Sequence, residues 1–315
     1  MRVRRVVCIG GGTIGRSWAL LFASKGFAVN LYDTSEVALS RAVEDIRFWL
    51  DSLARSGMVE EAPEEVLRRI RPLGELAEAL KGVDYVQESV PEDLGVKRRV
   101  FREVSRLVKP STILASSTSG LPISEVQRAA LNPERCLTVH PVNPPHLIPL
   151  VEIVPGRETA EEVVEETYSF MQRVGKVPVV VRKEVPGFVF NRLAAALWRE
   201  ALDLVDKEVV SVEDLDRVVS AGLGLRLAVM GPFLTYQLGG GEGGLRHFIE
   251  HLKPAFTSWW RSLADWSAIP PSAVERAVKG AERMRIVQEK TYKELAAWRD
   301  ERLTRIIREL YREPA

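Results

Sequence analysis

From the N-terminus to Arg182, short runs rich in Val and Ile alternate with longer stretches whose apolar residues recur every third or fourth position. Val3–Ile9, Ala28–Tyr32, Asp84–Gln87, Thr112–Ala115, Cys136–Val139, Val151–Val154 and Val177–Val181 read as strands. Ile14–Lys25, Glu36–Arg55, Leu94–Val108 and Ala160–Val174 read as amphipathic helices. Strands that alternate with helices predict a largely parallel sheet, doubly wound with helices on both faces. After the turn-rich Glu184-Val185-Pro186-Gly187 the strand pattern stops. Phe188–Val209, Val212–Ala221, Pro232–Leu238, Leu245–Leu252 and the long Ser272–Tyr311 stretch all carry helical spacing. The expected architecture is α/β: a mostly parallel sheet domain over 1–186, then an all-helical domain over 187–315, with no internal repeat.

Composition narrows the functions open to such a chain. Its 315 residues suffice for two domains, and 46% hydrophobic with 28% charged residues is a globular balance. Forty-four Lys and Arg residues nearly cancel 43 Asp and Glu, so no global field favours nucleic acid or an anionic membrane surface, and neither is an expected partner. An anionic ligand must be met by a local site. No apolar run has bilayer length, and Met1–Val7 runs straight into strand-like sequence, so the expected location is cytoplasmic. Cys8 and Cys136 are too few for a disulfide framework or a thiolate metal site and sit in apolar runs, which gives them a structural role. No metal is expected.

The first chemical signal follows the first strand. Gly10-Gly11-Gly12-Thr13-Ile14-Gly15 matches G-x-G-x-x-G at a strand-to-helix junction, the setting of a Rossmann-type dinucleotide turn. Gly10 permits the tight turn, Gly12 lets the backbone approach a pyrophosphate, and Gly15 allows close helix packing. The amides of the Thr13-Ile14 turn and the helix dipole face the phosphates. Asp33 closes the second strand, 18 residues beyond Gly15. Its carboxylate suits ribose hydroxyls and repels a 2′-phosphate, so NAD is favoured over NADP. FAD uses the same fingerprint, and these residues alone do not separate the two.

The second signal is a set of polar residues at strand ends. His140 closes a predicted strand before Pro141-Val142-Asn143-Pro144-Pro145, where ligands bind in an open parallel sheet. Glu152 sits inside the apolar run Leu150–Val154, a costly place for a carboxylate without a partner, and the imidazole twelve residues earlier is the obvious one. Ser116-Ser117-Thr118-Ser119-Gly120 follows another strand, and Asn191 lies in Gly187-Phe188-Val189-Phe190-Asn191-Arg192 at a helix start.

Together these segments resemble the 3-hydroxyacyl-CoA dehydrogenase superfamily, whose pattern places Ser, His, Glu and Asn in this order around a 3-hydroxyl group. The matching residues are Ser119, His140, Glu152 and Asn191. Val90-Pro91-Glu92-Asp93-Leu94 with Lys97 is similar to the element in which a Glu and a Lys meet the nicotinamide end of NAD, here Glu92 and Lys97. The resemblance runs along nearly the whole chain and implies NAD, not FAD. Further strings resemble the L-gulonate 3-dehydrogenase or lambda-crystallin branch: Gly15-Arg16-Ser17-Trp18-Ala19, His140–Pro145, Ile148–Glu152, Gly222-Leu223-Gly224-Leu225-Arg226, Gly231-Pro232 and Trp298-Arg299-Asp300-Glu301. The L-carnitine 3-dehydrogenase branch shares part of this pattern. Gln237–Gly244 is richer in glycine than either branch leads one to expect, and is expected to border the substrate pocket.

The implied activity is NAD-dependent oxidation of a small L-3-hydroxy acid. His140 acts as base, Glu152 orients it, and Ser119 and Asn191 hold the reacting oxygen. A free acid needs a local cation, for which Arg226 is the candidate. The alternatives are a CoA ester, which requires basic groups for its phosphates; carnitine, whose ammonium favours an aromatic cage such as Trp259, Trp260 and Trp266 could offer; and a structural, crystallin-like protein that retains NAD binding. The apolar residues of the C-terminal stretch, among them Ile286, Tyr292, Leu303 and Ile307, point to a homodimer.

Overall fold

The strands β1 (Arg5–Ile9), β2 (Ala28–Tyr32), β3 (Ile70–Leu73), β4 (Tyr85–Glu88), β5 (Ile113–Ser116), β6 (Cys136–Pro141), β7 (Leu150–Pro155) and β8 (Val177–Val180) join in one sheet. Their order is β3-β2-β1-β4-β5-β6-β7-β8 in a computed structural model that describes residues 3–311. Every pairing is parallel except β6–β7, which is antiparallel. The chain order reverses between β1 and β4, the switch point at which ligands meet such sheets.

The helices α1 (Thr13–Ser24), α2 (Glu36–Arg55), α3 (Pro63–Leu67), α4 (Leu76–Ala79), α5 (Leu94–Leu107), α6 (Ile123–Gln127) and α7 (Glu161–Arg173) connect the strands. Buried residues form separate apolar clusters for the two faces of the sheet. In one, Phe22 of α1 stacks on Trp18 at 5.2 Å and on Phe170 of α7 at 5.6 Å. In the other, Phe101 and Val104 of α5 pack with Ile123 and Val126 of α6. Apolar cover on both faces is why the central strands read as continuous hydrophobic runs. β3 escapes that reading: Arg71 and Pro72 are exposed, and the strand pairs only with β2, an edge position that tolerates Pro.

The chain divides into two compact units, one comprising residues up to Arg192 together with those from Asp300 onward, the other Leu193–Arg299. α8 (Phe190–Asp206) starts in the first unit and continues into the second. The second unit also contains α9 (Val212–Val218), α10 (Leu225–Val229), α11 (Pro232–Gly239), α12 (Gly244–Trp260), α13 (Pro271–Arg283) and α14 (Arg285–Glu289). α12 runs well past Leu252 despite Pro254 in its interior.

The helical half has two features that periodicity alone does not describe. The Ser272–Tyr311 stretch is three helices, because Met284 and Lys290 take extended backbone before α15 (Tyr292–Tyr311). The end of α15 joins the first unit, where Leu303 and Ile307 pack on the α1–α7 cluster and Arg308 donates to the Ser56 carbonyl at 2.7 Å. Those two residues are covered by their own chain. Within the glycine run, Gly244 at the α11–α12 turn has φ +62°, and a Cβ there would lie 2.4 Å from the Gln237 side chain. Among the described residues no single helix is long and apolar enough to cross a membrane.

Candidate active site

The turn after β1 has the stereochemistry its glycines suggest. Gly10 takes φ +103°, and a Cβ on Gly15 would lie 1.8 Å from the Gly10 carbonyl, so α1 presses against the turn. Gly12 is the N-cap of α1 and makes no side-chain cap; nothing lies within 4 Å of where its Cβ would be. The helix therefore presents its first amides to open space, a cradle suited to a pyrophosphate. Asp33, directly after β2, accepts the Gly11 amide at 2.7 Å and the Ser35 amide at 2.9 Å, which fixes its carboxylate beside that cradle.

A buried ionic network borders the turn. Glu88 ends β4, on the next strand across the switch point, and it is fully buried. It accepts from Lys97 at 2.9 Å, from the Val90 amide at 2.7 Å and from the Ser116 hydroxyl at 2.6 Å. Lys97 also lies 3.3 Å from Glu92. Glu92 in turn accepts from the Thr118 hydroxyl at 2.5 Å and the Ser119 amide at 2.9 Å. Partial burial pushes the Glu92 carboxyl up, but the Thr118 hydrogen bond, the Lys97 charge and the Ser119 amide outweigh it and hold the group below the ordinary range. Glu92 and Lys97 thus steady the segment that carries Ser119.

His140 and Glu152 are cross-strand partners in the β6–β7 ladder. They are 4% and 2% exposed, and Nδ1 of the imidazole meets Oε2 of the carboxylate at 2.8 Å. The other carboxylate oxygen accepts the amides of Val189 and Phe190, each at 2.9 Å, at the start of α8. Burial raises the Glu152 carboxyl, yet the His140 hydrogen bond and the two amides together draw it below its ordinary value. An ionised carboxylate only accepts, so Nδ1 carries the proton and Nε2 offers a lone pair. Asn191, one residue into α8, donates from Nδ2 to the Ser119 carbonyl at 3.1 Å. Ser119, His140, Glu152 and Asn191 are thereby linked within the first unit. Such a set can take a proton from a hydroxyl and hold the oxygen left behind.

Arg226 lies on α10 in the second unit, exposed, and makes no ion pair among the described residues. Trp266 has a buried indole nitrogen without a partner. Trp259 and Trp260 pack on Phe256 at 5.0 and 5.7 Å, and Phe256 packs in turn on Tyr236 and Phe248. The strand expected over Asp84–Gln87 stops one residue short of Glu88, which the sequence reading therefore does not single out; a carboxylate closing such a run is the same signal that marks Glu152.

Residues 5–185 match the family model for the 3-hydroxyacyl-CoA dehydrogenase NAD binding domain, and residues 187–279 match that for the 3-hydroxyacyl-CoA dehydrogenase C-terminal domain. The chain is 41% identical to an L-carnitine dehydrogenase of Streptomyces coelicolor over 83% of its own length and 81% of the relative's. It is 46% identical to a lambda-crystallin homolog of Mus musculus over 74% of each chain. A crystal structure of an NAD+-dependent 5-formyl-3-hydroxy-2-methylpyridine 4-carboxylic acid 5-dehydrogenase superposes with a TM-score of 0.84 at 32% identity, covering 98% of this chain and 99% of that one.

Proposed function

The chain belongs to the 3-hydroxyacyl-CoA dehydrogenase family, and from that premise we propose that it oxidises the 3-hydroxyl of a small free L-3-hydroxy acid, L-gulonate or a close analogue. The observation that carries the chemistry is the buried His140–Glu152 pair, whose Nε2 is left as an acceptor. NAD, when bound, accepts the hydride from the carbon that bears the hydroxyl. His140 takes the hydroxyl proton on Nε2, and Glu152 holds the ring and stabilises the imidazolium that forms. Ser119 and Asn191 hydrogen-bond the reacting oxygen and keep the carbon in place. Gly10, Gly12, Thr13, Ile14 and Gly15 receive the pyrophosphate, Asp33 the adenosine ribose, and Glu92 with Lys97 the nicotinamide side.

Arg226 is assigned to the substrate carboxylate, a role supported by a guanidinium that has no acidic partner among the described residues. The assembly is a homodimer in this reading, because the second unit leaves large apolar side chains such as Phe233, 77% exposed, on its surface. A second reading is oxidation of L-carnitine. The carnitine dehydrogenase relatives favour it, as do Trp259 and Trp260, 54% and 66% exposed at the outside of an aromatic cluster, whose indoles suit a quaternary ammonium.

Steady-state NAD reduction with L-gulonate, L-carnitine, L-3-hydroxybutyrate and L-3-hydroxybutyryl-CoA in parallel tests these readings. A free uncharged-tail acid is expected to have the highest kcat/KM. Preference for carnitine selects the second reading, and preference for the CoA ester overturns both. NAD binding without turnover of any of the four would identify a structural protein.

A further inference from the structure

Phe188 combines two properties that rarely coincide. Its backbone is left-handed, φ +47°, one of two such non-glycine residues in the described chain, and its side chain is only 1% exposed. Gly187 before it is also left-handed, φ +74°, and the Phe188 amide closes a turn on the Val185 carbonyl at 3.0 Å. A second glycine would make this turn without steric cost, whereas a residue with a Cβ is disfavoured there. A bulky residue kept in such a conformation implies that its side chain contributes something the turn alone does not. The ring packs on Val154 and Val181, and its centroid lies 5.5 Å from that of the His140 imidazole with the planes inclined by 58°. Directly after it come the two amides that bind the second oxygen of Glu152, and then Asn191.

We infer that Phe188 is a positioning residue for the reaction: its ring covers the imidazole and keeps water off the His140–Glu152 hydrogen bond, while its left-handed backbone turns the next two amides onto the same carboxylate. The inference rests on the reading of His140 as the base. A hydrogen bond to an ionised group strengthens where water is excluded, so an imidazole held under an aromatic lid keeps one orientation and one tautomer. The lid and the helix start also share one anchor. Through Glu152, the orientation of His140 and the placement of Asn191 depend on a single carboxylate, and Phe188 is the residue whose side chain meets the first and whose backbone leads to the second.

Phe188→Gly keeps the turn and removes the lid, and Phe188→Leu keeps most of the apolar volume without the flat ring. Two measurements separate a positioning role from cavity filling: the kcat and KM split for the best of the four hydroxy compounds, and the exchange with water of the His140 Nδ1 proton, followed by NMR on protein labelled at histidine nitrogen. For Phe188→Gly we expect kcat to fall about 10- to 100-fold with KM for NAD changed by less than about 2-fold. We also expect the Nδ1 proton, slow to exchange in the parent, to exchange fast. Phe188→Leu should change both in the same sense and by less. A folded Phe188→Gly with parental kcat and a slowly exchanging Nδ1 proton overturns the proposal; if that variant does not fold, the same result for Phe188→Leu overturns it. A His140→Ala variant that kept full kcat would remove the base assignment instead, and the proton-exchange result would still decide whether Phe188 shields the pair.

Discussion

Lys97 and Glu88 form an ion pair at 2.9 Å in which both side chains are withdrawn from solvent, at 1% and 0% exposure. The pair ties α5 to the end of β4, and through Glu92 it reaches the Thr118-Ser119 segment. A structural element and a site element therefore share one ammonium.

Lys97→Met should be the more damaging change. It leaves Glu88 buried with only the Val90 amide and the Ser116 hydroxyl, and removing one partner of a buried pair typically costs about 3–5 kcal/mol. Glu88→Gln should cost less, because Lys97 keeps Glu92 at 3.3 Å. Urea unfolding of the two variants checks the order, and equal or reversed losses would mean that Glu92 does not support Lys97.

His140→Ala and Glu152→Gln should each lower kcat by at least ~10²-fold while NAD affinity stays nearly intact. Glutamine can still accept the Val189 and Phe190 amides, but its NH2 facing Nδ1 forces the proton onto Nε2, where no base remains. Single-turnover kinetics with a separate NAD titration provides the check. A Glu152→Gln variant with parental kcat would show that the tautomer is not set by this pair.

The site was legible to the extent that its residues break a local pattern. Glu152 inside an apolar run and His140 at a strand end announced each other, yet that they sit opposite one another in an antiparallel ladder depends on the connection between β6 and β7, which periodicity does not describe. The glycine turn and Asp33 were legible because G-x-G-x-x-G has a stereochemical reason at each position. β3 was not, since half of its four residues face outward. The return of α15 to the first unit was hidden for another reason: an amphipathic stripe states that a helix has a partner without stating which.

Lys176 offers a pH test away from the chemistry. Its ammonium donates to the carbonyls of Pro145 and Ile148 and lies 5.2 Å from the Trp18 ring, and burial pulls its pKa down to about 7. Between that value and the ordinary lysine range the unfolded chain binds the proton and the folded chain does not, so stability rises with pH across this window. Lys176→Met abolishes the rise and leaves two carbonyls without their donor, a loss of about 1–3 kcal/mol at about pH 9 that narrows toward about pH 6. A stability difference independent of pH would place the lysine titration outside this window.

Homodimerisation should use the second unit. With Leu303 and Ile307 covered but Tyr292 still 85% exposed, the uncovered apolar side chains to explain include those of α10 to α12, with Leu225 at 65%, Val229 at 64%, Phe233 at 77% and Trp260 at 66% exposure. Closed symmetric pairing is the commonest way to cover such a surface. Sedimentation should give a dimer at micromolar concentration, and Phe233→Glu should shift it toward monomer. An active species that is monomeric throughout would reject the assembly.

On the proposed reading, Arg226 discriminates a free acid from an ester. Exposed on α10 and without an acidic partner among the described residues, its guanidinium is free to grip a carboxylate through two parallel hydrogen bonds. A charge-assisted bond of this kind contributes about 1.5–3 kcal/mol, on the order of 10- to 100-fold in binding. A thioester carbonyl is neutral and gains far less. Arg226→Met should therefore raise KM for L-gulonate or L-3-hydroxybutyrate by that factor and leave KM for L-3-hydroxybutyryl-CoA almost unchanged. Arg226→Lys should recover only part of the loss, because an ammonium lacks the fork. Comparing kcat/KM for the acid and the CoA ester across the three proteins isolates the carboxylate contact. If the ester wins by about tenfold or more in the parent and Arg226→Met leaves the acid unaffected, Arg226 is no substrate ligand and the ester is the substrate.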